Sequence, residues 1–391
     1  MVDALQPGAF MNIVVVGGGL VGASAALALA QAGHQVTLIE RVEPGAVSAE
    51  TKDWDLRISS VHQQNQQWLA ELGVWSQVPA TRRFGYTELA VESQDGAKLT
   101  FSAADAGFAE LGFMVENNAL QRALWQQLEA EQVTLRCPDA VESIDWEART
   151  VTTTAAEPLS FDLLLGCDGA NSATAKRAGI GRRGWDYGQR CMLANVITEQ
   201  ALPTQTWEIF RAGGPYALLP LDTHRACLIN YQSSQAISEL QQQGDDAVLA
   251  ELSDLFSPHI GSFQLQPTNS YASFPIQRHT ALRYHAHNCV ALVGDAAHSI
   301  HPLAGQGVNL GFADVQSLVS QLSTQDLATV LPAYEGERRA LNQRMMRAMD
   351  AIHYGFDSKH LIAKWGIRGV FAGIAQLPPL KRQVVRAAMG L

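Results

Sequence analysis

At 391 residues, with 47% apolar and 17% charged side chains, the chain has the composition of a folded protein with a large core and room for two structural units. Its net charge of −10 excludes a general nucleic-acid binder, which needs a basic patch for phosphates. The five cysteines (Cys137, Cys167, Cys191, Cys227 and Cys289) are scattered without a CxxC pair, which excludes a disulfide framework and a cysteine–zinc site and suits a reducing compartment.

The apolar run from Asn12 to Gly33 imitates a signal or membrane segment, but no Lys or Arg precedes it and its glycines cluster at one end. A turn accounts for it better, so the expected location is cytoplasmic, with Met11 an alternative start. Ile13–Val16 predicts a buried parallel strand, Ala23–Gln31 a small-residue helix that packs closely on a sheet, and Val36–Glu40 a second strand. Ser59–Leu72 has helical spacing through Val61, Trp68, Leu69 and Leu72 and closes at Gly73. Asn117–Ala130 predicts a helix with Leu120, Leu124 and Leu128 on one face, followed by a strand at Val133–Arg136. A hairpin is expected through Val141–Asp145 and Thr150–Thr154, then an apolar strand at Phe161–Cys167. From Arg190 to Phe274, short β-type runs such as Tyr216–Leu221 and Arg225–Tyr231 predict an inserted antiparallel sheet. The chain returns to a buried strand at Cys289–Val293 and is mostly helical beyond Val308.

Three motifs carry chemistry. Gly17-x-Gly19-x-x-Gly22 lies between a strand and a helix: Gly17 permits a tight turn, Gly19 lets phosphate approach the backbone, and Gly22 lets helix and strand pack closely. The free N–H groups at the helix start face the negative charge. Glu40, ending the second strand, can accept both ribose hydroxyls of a dinucleotide, and this motif alone leaves NAD and FAD undecided. Asp168-Gly169-Ala170-Asn171-Ser172 reads equally as a turn capping a helix at Ser172 and as part of a cofactor site. In Gly294–Asn309, Asp295 can accept a hydrogen bond from a ribityl hydroxyl, and Gly305 and Gly307 leave room for a flat ring. The helix starting near Val308 then aims its positive end at the ring edge that gains negative charge on reduction. His298 and His301 lack a third ligand at metal spacing, so no metal is expected; His298 reads as a packing or hydrogen-bonding residue, and His301 is open.

In this order the three motifs resemble those of the class A FAD-dependent aromatic hydroxylases, the group that includes para-hydroxybenzoate hydroxylase. The resemblance runs from Asn12 onward and is closest to the ubiquinone-biosynthesis hydroxylases. It rests on Asp55-Leu56-Arg57-Ile58-Ser59, Met114-Val115-Glu116-Asn117, Gln121-x-x-Leu124-Trp125, Gly213-Gly214-Pro215, Leu219-Pro220-Leu221, the Gly294–Asn309 block and Ala388-Met389-Gly390-Leu391. It implies an α/β fold: a Rossmann-like FAD-binding domain (residues 11–80, 105–184 and 285–391, helical at its end) with an inserted antiparallel β-sheet substrate domain (81–104 and 185–284).

By the same resemblance, Gly17, Gly19, Gly22 and Glu40 hold the ADP half of FAD, with Arg41 beside the adenosine. Arg57 lies near the pyrophosphate and flavin, Gln121 (with Asn117) belongs to the segment along the ribityl chain, and Asp168 serves both FAD and NAD(P)H. Asp295 binds the ribityl chain, while Gly305, Gly307, Val308 and Asn309 flank the isoalloxazine ring. The implied reaction is ring hydroxylation of a prenylated quinol or phenol in ubiquinone biosynthesis: NAD(P)H reduces FAD, O₂ adds at flavin C4a, and the hydroperoxide passes oxygen to the ring. A small soluble phenol is the alternative substrate, and a flavin-bearing assembly component without turnover the alternative role. No His, Tyr or Asp stands out as a base. Phe210, Tyr216 and Leu219 are candidates to roof the flavin. Position 175 is alanine where the family often has the arginine of Asp-Gly-x-x-Ser-x-x-Arg; Lys176 and Arg177 follow, so that arginine's ion pair is absent or supplied differently. Ile362–Leu391, with Lys364, Arg368, Lys381, Arg382 and Arg386, reads either as a surface for the inner membrane face or another ubiquinone-biosynthesis protein, or as a helical pair covering the core.

Overall fold

A computed structural model describes residues 10–45, 53–94, 96–155, 157–302, 305–357, 381–383 and 385–386. The chain opens with β1 (Asn12–Val16), α1 (Leu20–Gln31) and β2 (Gln35–Ile39). Next come β3 (Ile58–His62), α2 (Gln63–Glu71), β4 (Arg83–Tyr86), β5 (Glu88–Ser93), β6 (Lys98–Ser102) and the short α3 (Ala103–Ala106). They are followed by β7 (Gly112–Glu116), α4 (Asn117–Ala130), β8 (Thr134–Arg136), β9 (Val141–Asp145), β10 (Thr150–Thr153), β11 (Leu159–Ser160), β12 (Leu163–Gly166) and α5 (Ala173–Arg177).

The first sheet runs β19-β20-β12-β1-β2-β8, where β19 is His285–Ala286 and β20 is Val290–Leu292. All its pairings are parallel except the edge pair β19–β20. Its strands read as unbroken apolar runs because both faces are covered. Ile13, Val15, Leu163 and Leu165 point into the main core under α1, α4 and the later helix Gly307–Leu322, while Val14, Val16, Leu164 and Val290 point into a second core beneath the β9–β10–β11 hairpin sheet.

Ser59–His62 is strand rather than helix. It pairs with β7 in a three-stranded sheet, β3-β7-β4, and helical geometry starts only at Gln63. Val61 fits both spacings, and the ladder to β7 decides the matter.

The second large sheet has nine strands in the order β21-β18-β13-β16-β15-β14-β5-β6, with β17 also on β13. Its later members are β13 (Arg182–Thr198), β14 (Gln205–Phe210), β15 (Tyr216–Pro220), β16 (Arg225–Ser233), β17 (Phe263–Leu265), β18 (Tyr271–Ala281) and β21 (His298–Ser299). It is not wholly antiparallel, because β14 and β5 run parallel. Nor is the insertion all strand: α6 (Ser234–Gln243) and α7 (Asp245–Ile260) pack Ile237, Val248, Leu252 and Phe256 on its outer face. The inner face turns toward the first unit. Beyond it, α8 (Gly307–Leu322) and α9 (Leu327–Asp357) complete the helical end expected after Val308.

Candidate active site

The glycine-rich turn after β1 is built by close backbone contact. Gly17 has φ +105°, and a Cβ there would lie 2.5 Å from the Cys167 carbonyl oxygen. Gly22 packs against the Gly17 carbonyl, whereas Gly19, at the N-terminus of α1, faces open space. Gly17, Gly19, Glu40, Arg41 and Asp168 line one cleft of about 330 Å³ at the carboxyl ends of the parallel strands, where ligands bind in such sheets. Gln121 Nε2 and Trp125 Nε1 both donate to the Gly18 carbonyl, at 2.7 and 2.9 Å, so α4 clamps the turn from behind. Trp125 was not foreseen as a site residue; its place at i+4 from Gln121 was the available signal.

Two carboxylates expected at this end already hold hydrogen bonds within the protein. The Glu40 carboxylate already accepts from the backbone N–H groups of Gly18 (2.5 Å), Arg41 (2.7 Å) and Val42 (3.1 Å). Of about four lone-pair positions one remains, on Oε2, enough for one ribose hydroxyl rather than two. Asp168 is likewise engaged: Ser172 Oγ donates to Oδ1 at 2.5 Å, and the Thr174 N–H and hydroxyl donate to Oδ2 at 2.9 and 3.1 Å. Ser172 caps α5 by accepting from the Ala175 N–H, so the capping turn is realised at the rim of that cleft. Near the alanine at position 175, two arginines donate to backbone carbonyls. Arg182 donates to the Ala170 carbonyl (2.8 Å), and Arg177 reaches the carbonyls of Val141 and Glu142.

The second cleft, about 530 Å³, lies between the inner face of the nine-stranded sheet and the β3 and Gly294–Gln306 segments. Arg57, Asn117, Asp295 and Gly305 line it. Asp295 opens onto the cavity yet is ringed by protein, and that desolvation raises its carboxyl above the ordinary range. Asn117 Oδ1 is buried without a hydrogen-bond partner, and Asn117 rather than Gln121 faces this cavity. Arg57 is exposed there and has no ion-pair partner among the described residues. Phe210 and Tyr216 are not among the lining residues, whereas Leu219 is.

The Gly294–Asp295 turn is fixed by buried charge. Asp314 Oδ2 accepts from the Gly294 N–H (3.1 Å) and from His298 Nε2 (2.5 Å), and its Oδ1 from Arg338 (2.8 Å) and Asn342 (3.1 Å). His298 and Arg338 hold the Asp314 carboxyl below its usual range despite complete burial. His298 is therefore a hydrogen-bonding residue, and His301 sits buried against the rings of Tyr187 and Tyr231.

Gly307 and Val308 open α8, with no atom near an added Gly307 Cβ. Asn309 does not offer its side chain to a ring. Its Oδ1 accepts from His62 N–H (3.0 Å) and Asn65 Nδ2 (2.8 Å), and its Nδ2 donates to the Ser60 carbonyl (2.7 Å). It ties the loop to β3. His62 is also buried, its imidazole pushed down to about 4 by desolvation, and Gln306 Nε2 lies 3.1 Å from its Nε2. A neutral ring with its proton on Nδ1 accepts that bond.

FAD fits these residues. The open Gly19 face gives a phosphate access to backbone, and the unpartnered Asn117 oxygen and the Asp295 carboxyl face the cavity that a ribityl chain and ring would fill.

A family model described as "FAD binding domain" matches residues 11–349. The chain is 38% identical to the 3-demethoxyubiquinol 3-hydroxylase of Escherichia coli (strain K12), covering 97% of this chain and 98% of that one. It is 31% identical to the ubiquinone hydroxylase UbiL of Rhodospirillum rubrum over 97% and 89% of the two chains. Among solved structures, p-nitrophenol 4-monooxygenase PnpA from Pseudomonas putida DLL-E4 aligns with TM-score 0.78 at 17% identity, over 98% of both chains, a likeness of fold.

Proposed function

The chain belongs to the FAD-binding domain family of monooxygenases, and from that premise we propose that it hydroxylates the ring of a polyprenylated quinol in ubiquinone biosynthesis, using NAD(P)H and O₂. The observation that carries this reading is the 530 Å³ cavity, polar on the side of Asp295 and Arg57 and apolar on the side of Leu89, Phe101, Leu219 and Ile229. Phe274 lines it and is 40% exposed, so the apolar lining reaches the surface where a prenyl tail would trail out.

FAD, once reduced by the nicotinamide, supplies the activation of O₂. The chain does the rest. Gly17 and Gly19 bring backbone to the pyrophosphate, Glu40 takes a ribose hydroxyl, Asp295 and Asn117 hold the ribityl chain, and Gly305, Gly307 and Val308 flank the ring. The apolar wall excludes water. A prenyl chain gains about 0.8 kcal/mol per buried CH₂ in lipid, so the substrate is met at the membrane surface. No described helix is long and apolar enough to cross a membrane, and the proposed association is peripheral, at the inner face.

The test is turnover by the FAD-loaded protein with NAD(P)H and O₂. We expect prenylated quinols to yield a product one oxygen heavier and simple hydroxybenzoates to give none. The opposite order would establish a small soluble phenol as the substrate, and bound FAD with no product from either would establish a non-catalytic role.

A further inference from the structure

We infer that Glu208 is the base that takes the proton of the substrate's ring hydroxyl. This deepens the proposed ring hydroxylation and rests on that reading. Glu208 lies on β14 opposite Ala217 of β15, and both line the cavity. The lining contributed by its neighbours in this sheet is mostly apolar: Leu89, Leu193, Leu219 and Ile229. Glu208 is the one carboxyl that the sheet presents to the cavity, and it is only 8% exposed. Its Oε1 is sealed from solvent with no hydrogen-bond partner. A buried carboxyl oxygen without a partner costs stability, and a catalytic role is among the reasons a fold keeps one.

Apart from Asp295 and Arg57, the other titratable groups on the described walls are occupied or hold their protons. His62 is neutral and bonded to Gln306. The Tyr86 hydroxyl is bonded to Ser60, and burial raises it. From the strands packed beside β14, Tyr231 and Cys227 of β16 and Cys191 of β13 face the same space, and burial pushes all three up, Cys227 to about 12. Asp295 stands with the flavin loop, and Arg57 is a cation. Desolvation moves Glu208 to about 8, where a carboxylate is both present near neutral pH and basic enough to accept from a phenol.

In the step, the ring O–H bond breaks, its electron pair stays on the ring oxygen, and the proton forms the Glu208 carboxylic acid. The electron-rich ring forms its new C–O bond with one atom of O₂ as the O–O bond breaks, and the second oxygen atom leaves as water with the two electrons of NAD(P)H. As aromaticity returns, the ring carbon loses its hydrogen as a proton to water and Glu208 returns its proton to the ring oxygen. NAD(P)H and O₂ of the proposed reaction supply the redox balance.

The experiment compares wild type, Glu208→Gln and Glu208→Asp as FAD-loaded enzymes, measuring FAD content, NAD(P)H consumed and hydroxylated prenylated quinol formed across pH 6–9. In the wild type, kcat/KM for product should rise with pH through about 8. Glu208→Gln keeps the shape and FAD but cannot accept a proton. Its product yield should fall on the order of 10²-fold or more, its pH limb should vanish, and NAD(P)H oxidation should continue without product. Glu208→Asp should keep the limb at reduced rate, showing that folding is intact. Wild-type yield and pH profile in Glu208→Gln would overturn the assignment while leaving the hydroxylase reading standing. No hydroxylated quinol from the wild type itself would overturn both.

Discussion

A Cβ on Gly22 would stand 1.9 Å from the Gly17 carbonyl oxygen, and one on Gly19 would meet nothing within 4 Å. Two glycines of one motif thus serve different ends, and substitution separates them. Gly22→Ala pushes backbone against backbone, so it should lower the melting temperature of the protein with or without FAD. Gly19→Ala should leave the FAD-free melting temperature unchanged, because Gly19 has ordinary extended dihedrals (φ −67°, ψ −175°). Its methyl instead occupies the approach kept for phosphate, so the Kd for FAD should rise on the order of tenfold or more, about 1.4 kcal/mol. Flavin titration and thermal melts of both variants check this; equal melting losses would refute the division. The turn at Gly17 and the close packing at Gly22 were legible because they depend on spacing alone. The state of Glu40 was not, since its three backbone bonds depend on how the turn closes over β2.

Elements were legible where one period dominates. The Leu120–Leu124–Leu128 face of α4 and the apolar strands of the first sheet follow from burial on fixed sides. Helix α7 carried the same kind of signal in Val248, Leu252, Phe256 and Ile260, but it lies with α6 between the strands β16 and β17. The β3 strand was hidden because its partner β7 is some fifty residues away, and a ladder at that separation leaves no local mark. At the end of β3, His62 makes this junction sensitive to acid. Its folded value of about 4 lies below the ordinary 6.5, so between these values the unfolded chain binds more protons and stability falls as pH drops. The full loss below pH 4 is on the order of 3 kcal/mol. Protonation also sets two donors face to face at Gln306. His62→Gln should flatten the dependence of unfolding free energy on pH between 6.5 and 4, measured by denaturant titration; an unchanged slope would show that His62 is not the group responsible.

At the scale of the molecule, the cavity is walled by residues as far apart as Arg57, Asn117, Glu208, Phe274, Asp295 and Val385, which no periodicity connects. Glu208 gains its meaning only when the two sheets close on each other, so a sequence reading finds merely one acid in a buried strand. The far C-terminus joins the same wall. Most of Ile362–Leu391 lies outside the described residues, but Lys381 pairs with Asp105 at 2.7 Å and Arg382 donates to the Asp105 carbonyl, so both reach α3. Val385 is 0% exposed and lines the cavity. These contacts differ in weight. The Lys381–Asp105 pair is partly exposed and worth about 0–1 kcal/mol, whereas removing two buried methyl groups at Val385 costs about 1–2 kcal/mol. Val385→Ala should therefore destabilise the protein more than Asp105→Asn, at unchanged FAD content, and should raise the KM for a prenylated quinol by enlarging the wall it packs on. Denaturant titrations and steady-state kinetics of both variants decide it. A larger stability loss from Asp105→Asn would mean that charge, and not the buried valine, holds the C-terminus against the cavity.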